Sequence, residues 1–205
     1  MYVGLSEKPF ILAAPSTLLL RVIIPNALSL QAKIGQRSLQ FVSDNIHSGP
    51  SNPRYDLAVR IGRLDEMPSQ TVRLGKEALG LVHSPRYRAP FLEDAECSKF
   101  VRSVSADRPK IWDDWLRETD ADLCGQYVSL FFDEMHHALQ AAEAGLGAAI
   151  APYPLAASAI SEGRLITPFG FHMREGAYCA VGDQTTKDRV DVRKIRDALV
   201  DLLQA

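Results

Sequence analysis

Short apolar runs alternate with amphipathic stripes along the chain, and the alternation sets out its elements. Residues 10–14 (FILAA) form an apolar run closed by Pro15, Ser16 and Thr17; beyond it Leu18, Leu19, Val22, Ile23 and Ala27 recur at helical spacing. This predicts strand, turn and helix, with Ser16 or Thr17 as N-cap, because a hydroxyl there accepts from the helix's first free backbone N–H groups. Pro25, inside the stripe, predicts a kink or an early helix end. Residues 38–43 alternate as a strand does, residues 48–53 are a loop of Gly, Pro, Ser and Asn, and 55–61 (YDLAVRI) is a second apolar strand stopped by Gly62. A further strand over 78–83 runs into Ser84 and Pro85.

The middle of the chain, 86–126, is less regular; the tryptophans of IWDDWL, Trp112 and Trp115, predict a short helix there. A second alternating run follows, with a strand over 127–132, a helix over 134–144, a buried strand over 147–151 and a helix over 153–161. Two short strands, 165–168 and 178–182, are separated by a polar turn around 174–176. Residues 189–203 form an amphipathic helix with Val192, Ile195, Leu199, Leu202 and Leu203 on one stripe. Strands alternating with helices favour a mostly parallel sheet. A length of 205 residues at 46% hydrophobic content suffices for one sizeable core or for two small lobes sharing a hinge.

Charge narrows the choice of partner. Twenty-three Lys and Arg stand against 25 Asp and Glu, with no long basic run, so the electrostatic footprint of duplex binding is missing. The three cysteines, Cys97, Cys124 and Cys179, are odd in number and lack CxxC spacing; buried reduced thiols are expected rather than a disulfide framework or a zinc site. Residues 1–10 lack the basic start and long apolar stretch of a secretory signal, and no run reaches the length of a membrane span. The expectation is a cytoplasmic protein with no membrane partner.

One segment carries more. In 131–155, FFDEMHHALQAAEAGLGAAIAPYPL, a strand ends at Phe132 and Asp133 caps a helix whose Leu139, Ala142 and Leu146 pack inward. Gly145 or Gly147 ends that helix, and a buried strand leads to Pro152. In order and spacing the segment also resembles the signature of the LysR-type effector-binding domain, in which a helix ending in AGxG precedes a strand reading AIAP. DLAVRIG at 56–62, LVHSPRY at 81–87 and GRLITPFGF at 163–171 agree with that family in the same order, so the resemblance covers nearly the whole chain. The tryptophan pair and Tyr178 are similar to the subgroup that includes regulators of the glycine-cleavage operon and of β-lactamase.

The resemblance implies an α/β fold of two Rossmann-like lobes joined by two crossover strands, of the type 2 periplasmic-binding-protein-like kind. Lobe I would take residues 1–84 and 170–205 and lobe II residues 85–169, with crossings near Ser84 and Phe169. A small effector would sit between the lobes where strand ends and helix N-termini converge, and helix N-termini favour an anionic group on it. The candidate contacts are Ser16, Thr17, Arg60, Asp133, Glu134, Met135 and Tyr178. Each has a plainer reading. Ser16 or Thr17 needs no ligand to be an N-cap; Arg60 in an apolar strand needs a carboxylate, carbonyls or a ligand if buried, or else alternates onto a solvated sheet end. Asp133 and Glu134 suit a helix start on electrostatic grounds alone, and Tyr178 suits a packing residue with a wet hydroxyl. Relatives often place small hydroxyl residues at the positions of Glu134 and Met135, so this chain departs from the pattern there. His136 and His137 point about 100° apart on a helix, a poor arrangement for one metal ion.

No GxSxG, HExxH, P-loop or GxGxxG motif occurs, so an enzyme is not expected, nor are a cofactor or a metal. The resemblance implies an effector sensor of a transcriptional regulator, working as a homodimer or tetramer and reaching DNA only through an N-terminal domain not present in this chain. The alternative is a free-standing solute-binding protein of the same fold.

Overall fold

The structure, a computed structural model, describes residues 8–44, 55–69, 71–88, 100–106, 108–119, 121, 123, 127–182 and 189–204. Residues 1–7, the expected loop at 48–53, Cys97 and Cys124 lie outside the described residues. The chain divides into unit 1, residues 1–77 with 175–205, and unit 2, residues 78–174. It passes from one to the other within two long strands, β4 (Val72–His83) and β8 (His172–Gly182).

In unit 1 the strands stand in the order β2 (Leu39–Ser43), β1 (Phe10–Ala14), β3 (Leu57–Gly62), β8. β1 is parallel to both neighbours, whereas β8 returns antiparallel to β3. The mostly parallel expectation therefore gives way to a mixed sheet, because the late strand comes back rather than crossing over. Phe10, Leu12, Ala13 and Ala14 are wholly buried, as a central strand covered on both faces requires.

After β1 the chain turns at Pro15, whose extended backbone (φ −53°, ψ 140°) occupies the N-cap position, with no side-chain cap hydrogen bond. The predicted cap at Ser16 or Thr17 is thereby corrected: helix α1 (Ser16–Leu18) begins on these residues because the proline, not a hydroxyl, ends the strand. The helix continues as a π turn over Leu19–Ile23 and a 3-10 turn over Ile24–Asn26 before α2 (Ala27–Lys33). The change of pitch falls on Pro25, which has no N–H for the α-helical ladder.

α2 lies against the last helix, α6 (Val190–Gln204), whose Val192, Ile195, Leu199 and Leu203 are buried. Four charges fasten this end of the unit. Arg37 pairs with Asp56 (3.1 Å) and with Asp191, and Arg189 pairs with the same two carboxylates, Asp56 at 2.9 Å. Asp56 also accepts from the Ile11 N–H (2.8 Å), and Arg37 donates to the carbonyls of Lys8 and Pro9 (2.8 and 3.0 Å).

Unit 2 orders its strands β4, β7 (Ala148–Pro152), β5 (Phe100–Ser105), β6 (Tyr127–Phe132). β5 is parallel to β6 and β7, and β4 is antiparallel to β7. Helix α3 (Ile111–Thr119) is held by two wholly buried tryptophans. Trp112 Nε1 donates to the Ser103 carbonyl (2.9 Å), and Trp115 meets Phe169 edge-on (5.8 Å). Helices α4 (Met135–Glu143) and α5 (Tyr153–Ser161) complete the unit. α4 ends as its glycine signal predicts: Gly145 has φ +79°, its N–H reaches the Ala142 carbonyl and that of Leu146 the Ala141 carbonyl. Leu139 and Ala142 face inward as expected, but Leu146, beyond the cap, is exposed.

Two late expectations change. Residues 165–168 form one bridge, Ile166 to His83, rather than a strand. Residues 174–176 belong to β8 instead of a turn; their polarity reflects charged partners, since Arg174 pairs with Glu118 (2.9 Å) and Glu175 with Arg63 (2.9 Å).

Gly80 on β4 leaves no room for a side chain. A Cβ there would lie 2.6 Å from the Gly170 carbonyl oxygen and 2.8 Å from the Phe171 ring. Gly80→Ala should destabilise the protein by about 1–3 kcal/mol through overpacking, read from the midpoint of urea unfolding.

His83, at the end of β4, is buried, with Nδ1 2.9 Å from the Ser84 carbonyl oxygen. Burial pulls its pKa below the ordinary 6.5, against the raising effect of that carbonyl. As pH falls below 6.5 the unfolded chain takes up the proton and the native state resists it, so stability should fall until the lowered folded pKa is passed. Urea midpoints between pH 7.5 and 5 should drop less steeply in His83→Gln than in the parent; equal slopes would remove His83 as the cause.

Candidate functional site

The carboxyl ends of unit 1's parallel strands gather several candidates. Ala14 on β1 is level with Ser43 on β2, and Leu12 and Ala13 with Leu57 and Ala58 on β3. One step further, Pro15 therefore stands between Asp44 on one side and Arg60 on the other, as α1 begins. The Asp44 N–H donates to the Ala14 carbonyl (2.9 Å), which fixes the loop start against β1. Arg60 Nη2 donates to Asp44 Oδ2 at 2.7 Å, and Nη1 reaches the Val59 carbonyl at 3.4 Å. Both side chains are more than nine-tenths buried. Strands two places apart in a sheet lie about 10 Å apart, so this ion pair arches over the end of β1.

The buried guanidinium thus has its carboxylate. Asp44 escapes sequence reasoning because it follows the short strand 39–43 and reads as an ordinary loop aspartate; only the register of β2 against β1 brings it to Arg60. Ser16, half-buried, and Thr17, buried, follow Pro15 in the chain. Tyr178 is wholly buried, which corrects the expected wet hydroxyl. On β8 it is level with Ile61, while Cys179 is level with Arg60, so Tyr178 occupies the opposite face of the sheet from Arg60. Burial raises the Cys179 thiol pKa above its usual value, which keeps it protonated and inert.

Unit 2 offers a second strand-end set. β5 and β6 finish together at Ser105 and Phe132, and the Ala106 N–H donates to the Phe132 carbonyl (2.7 Å). Asp133 is exposed and does not cap the following helix. Glu134 holds the N-cap position in extended conformation without a side-chain cap bond, because the helix starts one residue later than expected. Met135 is buried. Glu134 Oε2 lies 3.1 Å from His136 Nδ1, and the His136 and His137 rings are 4.0 Å apart, occupied with the helix start and each other. Among the described residues the hydroxyls of Ser103 and Ser105 are buried with no hydrogen-bond partner, a polar feature hidden in an apolar-looking strand.

No group of three or more His, Cys, Asp or Glu among the described residues is placed to hold a metal ion, and no described helix is long and apolar enough to cross a membrane. Two surface grooves of unit 1 lie elsewhere. One of about 520 Å³ is lined by Lys33, Arg189 and Lys194, and one of about 480 Å³ by Arg63, Asp65 and Glu175; neither includes a candidate residue.

Known proteins resemble the chain in sequence and in fold. The chain is 30% identical over 172 residues to the HTH-type transcriptional regulator TrpI of Pseudomonas aeruginosa, a match covering 81% of this chain and 58% of that protein. The chain thus spans somewhat over half the length of that relative. The AmpR effector binding domain of Citrobacter freundii superposes with a TM-score of 0.72 at 19% identity, covering 97% of this chain and 99% of that one. The CrgA regulatory domain of Neisseria meningitidis does so with 0.67 at 16% identity, covering 96% and 99%. These two show the α/β fold of the periplasmic-binding-protein-like type. Because residues 5–204 match the LysR substrate binding domain, the chain belongs to that family.

Proposed function

We propose that the chain senses a small-molecule effector for a LysR-type transcriptional regulator, with lobe I at 1–84 and 170–205 and lobe II at 85–169. The observation that carries this reading is the family match over residues 5–204, seconded by polar groups at the carboxyl ends of parallel strands in each unit. Ser16, Thr17 and Arg60 from one strand-end set and Asp133, Glu134 and Met135 from the other are assigned to the effector, with Tyr178 as a buried wall. The protein acts by binding, not turnover, in the cytoplasm, and DNA contact belongs to another segment of the regulator. The tryptophan pair and Tyr178 support the glycine-cleavage-regulator-like subgroup. Family membership does not favour a free-standing solute-binding protein.

A homodimer, or a tetramer built from it, suits two exposed apolar surfaces. Leu20, Ile24 and Leu28 recur every four residues along the first helical stretch, and Tyr127, Val128, Leu130 and Phe131 stand on the edge strand β6. Leu28 is 88% and Phe131 77% exposed, more than single surface residues need. A second copy can cover surfaces of this kind. Sedimentation velocity should show a dimer that Leu28→Lys with Phe131→Lys turns to monomer; a strictly monomeric parent at high concentration overturns the pairing.

The sensing role is tested by thermal shift against a broad metabolite library. A true effector at one hundred times its Kd stabilises by about 2.7 kcal/mol. The shift should vanish in the folded double variant Thr17→Val, Arg60→Gln. A library without any stabilising compound, or turnover of the bound one, overturns the reading.

A further inference from the structure

We propose that the groove lined by Lys33, Arg189 and Lys194 is a second binding site, for a small organic phosphate whose dianion meets the cations and whose carbon part lies on the apolar lining. The site is distinct from the effector contacts assigned above. At about 520 Å³ the groove has the size that small ligands occupy, and is far larger than a bare phosphate ion fills. It lies wholly in unit 1, between the end of α2 and the start of α6. Arg37, bound to the lining residue Asp191, donates to the carbonyls of Lys8 and Pro9 just before β1. The groove therefore stands at the amino ends of the parallel strands, whereas the Asp44–Arg60 pair stands at their carboxyl ends.

Charge selects the ligand. Arg189 is matched by Asp56 (2.9 Å) and by Asp191, which Arg37 also holds, so these four groups balance one another. Among the described residues Lys33 and Lys194 make no ion pair, and two positive charges remain, one on α2 and one on α6. Like charges lining a concave, partly apolar surface focus the field and concentrate anions there. An excess of this size matches a phosphate monoester, which near neutral pH carries about −1.5 to −2 on three acceptor oxygens. A carboxylate offers a single charge on its two oxygens. Lysines serve a phosphate as point charges on flexible stems.

The walls are fixed without the lysines. Gln31 Nε2 donates to the Gly35 and Arg37 carbonyls (3.1 and 2.7 Å), and its Oε1 accepts from the Leu39 N–H (3.0 Å), which sets the turn after α2. Asp191 Oδ1 accepts from the Val192 N–H (2.9 Å), while its other oxygen takes Arg37 and Arg189. Ile34, half-buried, and Val190, 58% exposed, add apolar lining that an inorganic ion does not use. The frame is thus preformed, with a lysine on either side.

The test is calorimetry on the chain as it stands, in a phosphate-free buffer. The probes are glycerol phosphate, glucose phosphate and adenosine monophosphate, each beside its parent alcohol, together with inorganic phosphate and succinate. At least one ester should bind, and its parent alcohol, inorganic phosphate and succinate should each bind about tenfold or more weakly. Lys33→Gln with Lys194→Gln, both at exposed positions, should weaken that ester about tenfold or more. Lys76→Gln with Lys110→Gln, the same loss of charge at exposed positions elsewhere, should leave it unchanged. No binding by any ester, equal binding of inorganic phosphate or succinate, retained affinity in the first variant or an equal loss in the second overturns the assignment. An ester weakened by Thr17→Val with Arg60→Gln but not by the Lys33 and Lys194 variant overturns this site and leaves the sensing role standing.

Discussion

Asp44→Ala is expected to lower the stability of the protein by about 3–5 kcal/mol, because it leaves the Arg60 guanidinium buried without its counter-charge. That is a large share of the roughly 5–15 kcal/mol by which a domain of ordinary stability stays folded. The effect is a property of the unpaired charge and not of the bond. Replacing both partners, Asp44→Leu with Arg60→Met, should recover most of the loss, since apolar residues of similar volume serve as well in such a position. Chemical denaturation of the two single variants and the double one separates these terms. A double variant as unstable as Asp44→Ala would mean that the pair does more for the fold than neutralise itself.

Trp112→Ala should cost unit 2 a similar amount, about 3–5 kcal/mol. The indole is 1% exposed, lies between α3 and β5, and donates to the Ser103 carbonyl. Truncation empties a large volume and removes that donor. Trp112→Phe keeps much of the ring but not the N–H, and should fall between the two at about 1–3 kcal/mol. Equal unfolding midpoints for Trp112→Phe and the parent would show that packing alone anchors the helix.

Much of the architecture was legible because it rests on periodicity. The run FILAA, the apolar strand stopped by Gly62, the tryptophans of α3 and the glycine that stops α4 each act through neighbours close in sequence. What the pattern misplaced depends on partners far along the chain. Arg174 and Glu175 look like turn residues until Glu118 and Arg63 meet them in a strand. The caps shifted because Pro15 and Glu134 take the extended backbone that a cap requires without using a side chain. At the candidate site, Arg60 was readable as a charge in an apolar strand, but its partner was not. Asp44 becomes informative only when β2 is laid against β1. Tyr178 was readable as a strand residue, yet its face follows from the register of β8 with β3, which no local signal carries.

The division of the chain has a consequence for its birth. Unit 2 is one continuous stretch, 78–174, whereas unit 1 is interrupted by it and needs residues from 175 onward. Synthesis runs from the N-terminus at about 5–20 residues per second, so for some seconds the ribosome carries a unit 2 that is complete beside a unit 1 that is not. During that interval β1, β2 and β3 await the strand that covers β3, and Arg37 and Asp56 await Arg189 and Asp191. β1, β2 and β3 are therefore made before unit 2 yet locked after it, and the exposed, sticky surface of the growing chain belongs to the interrupted unit.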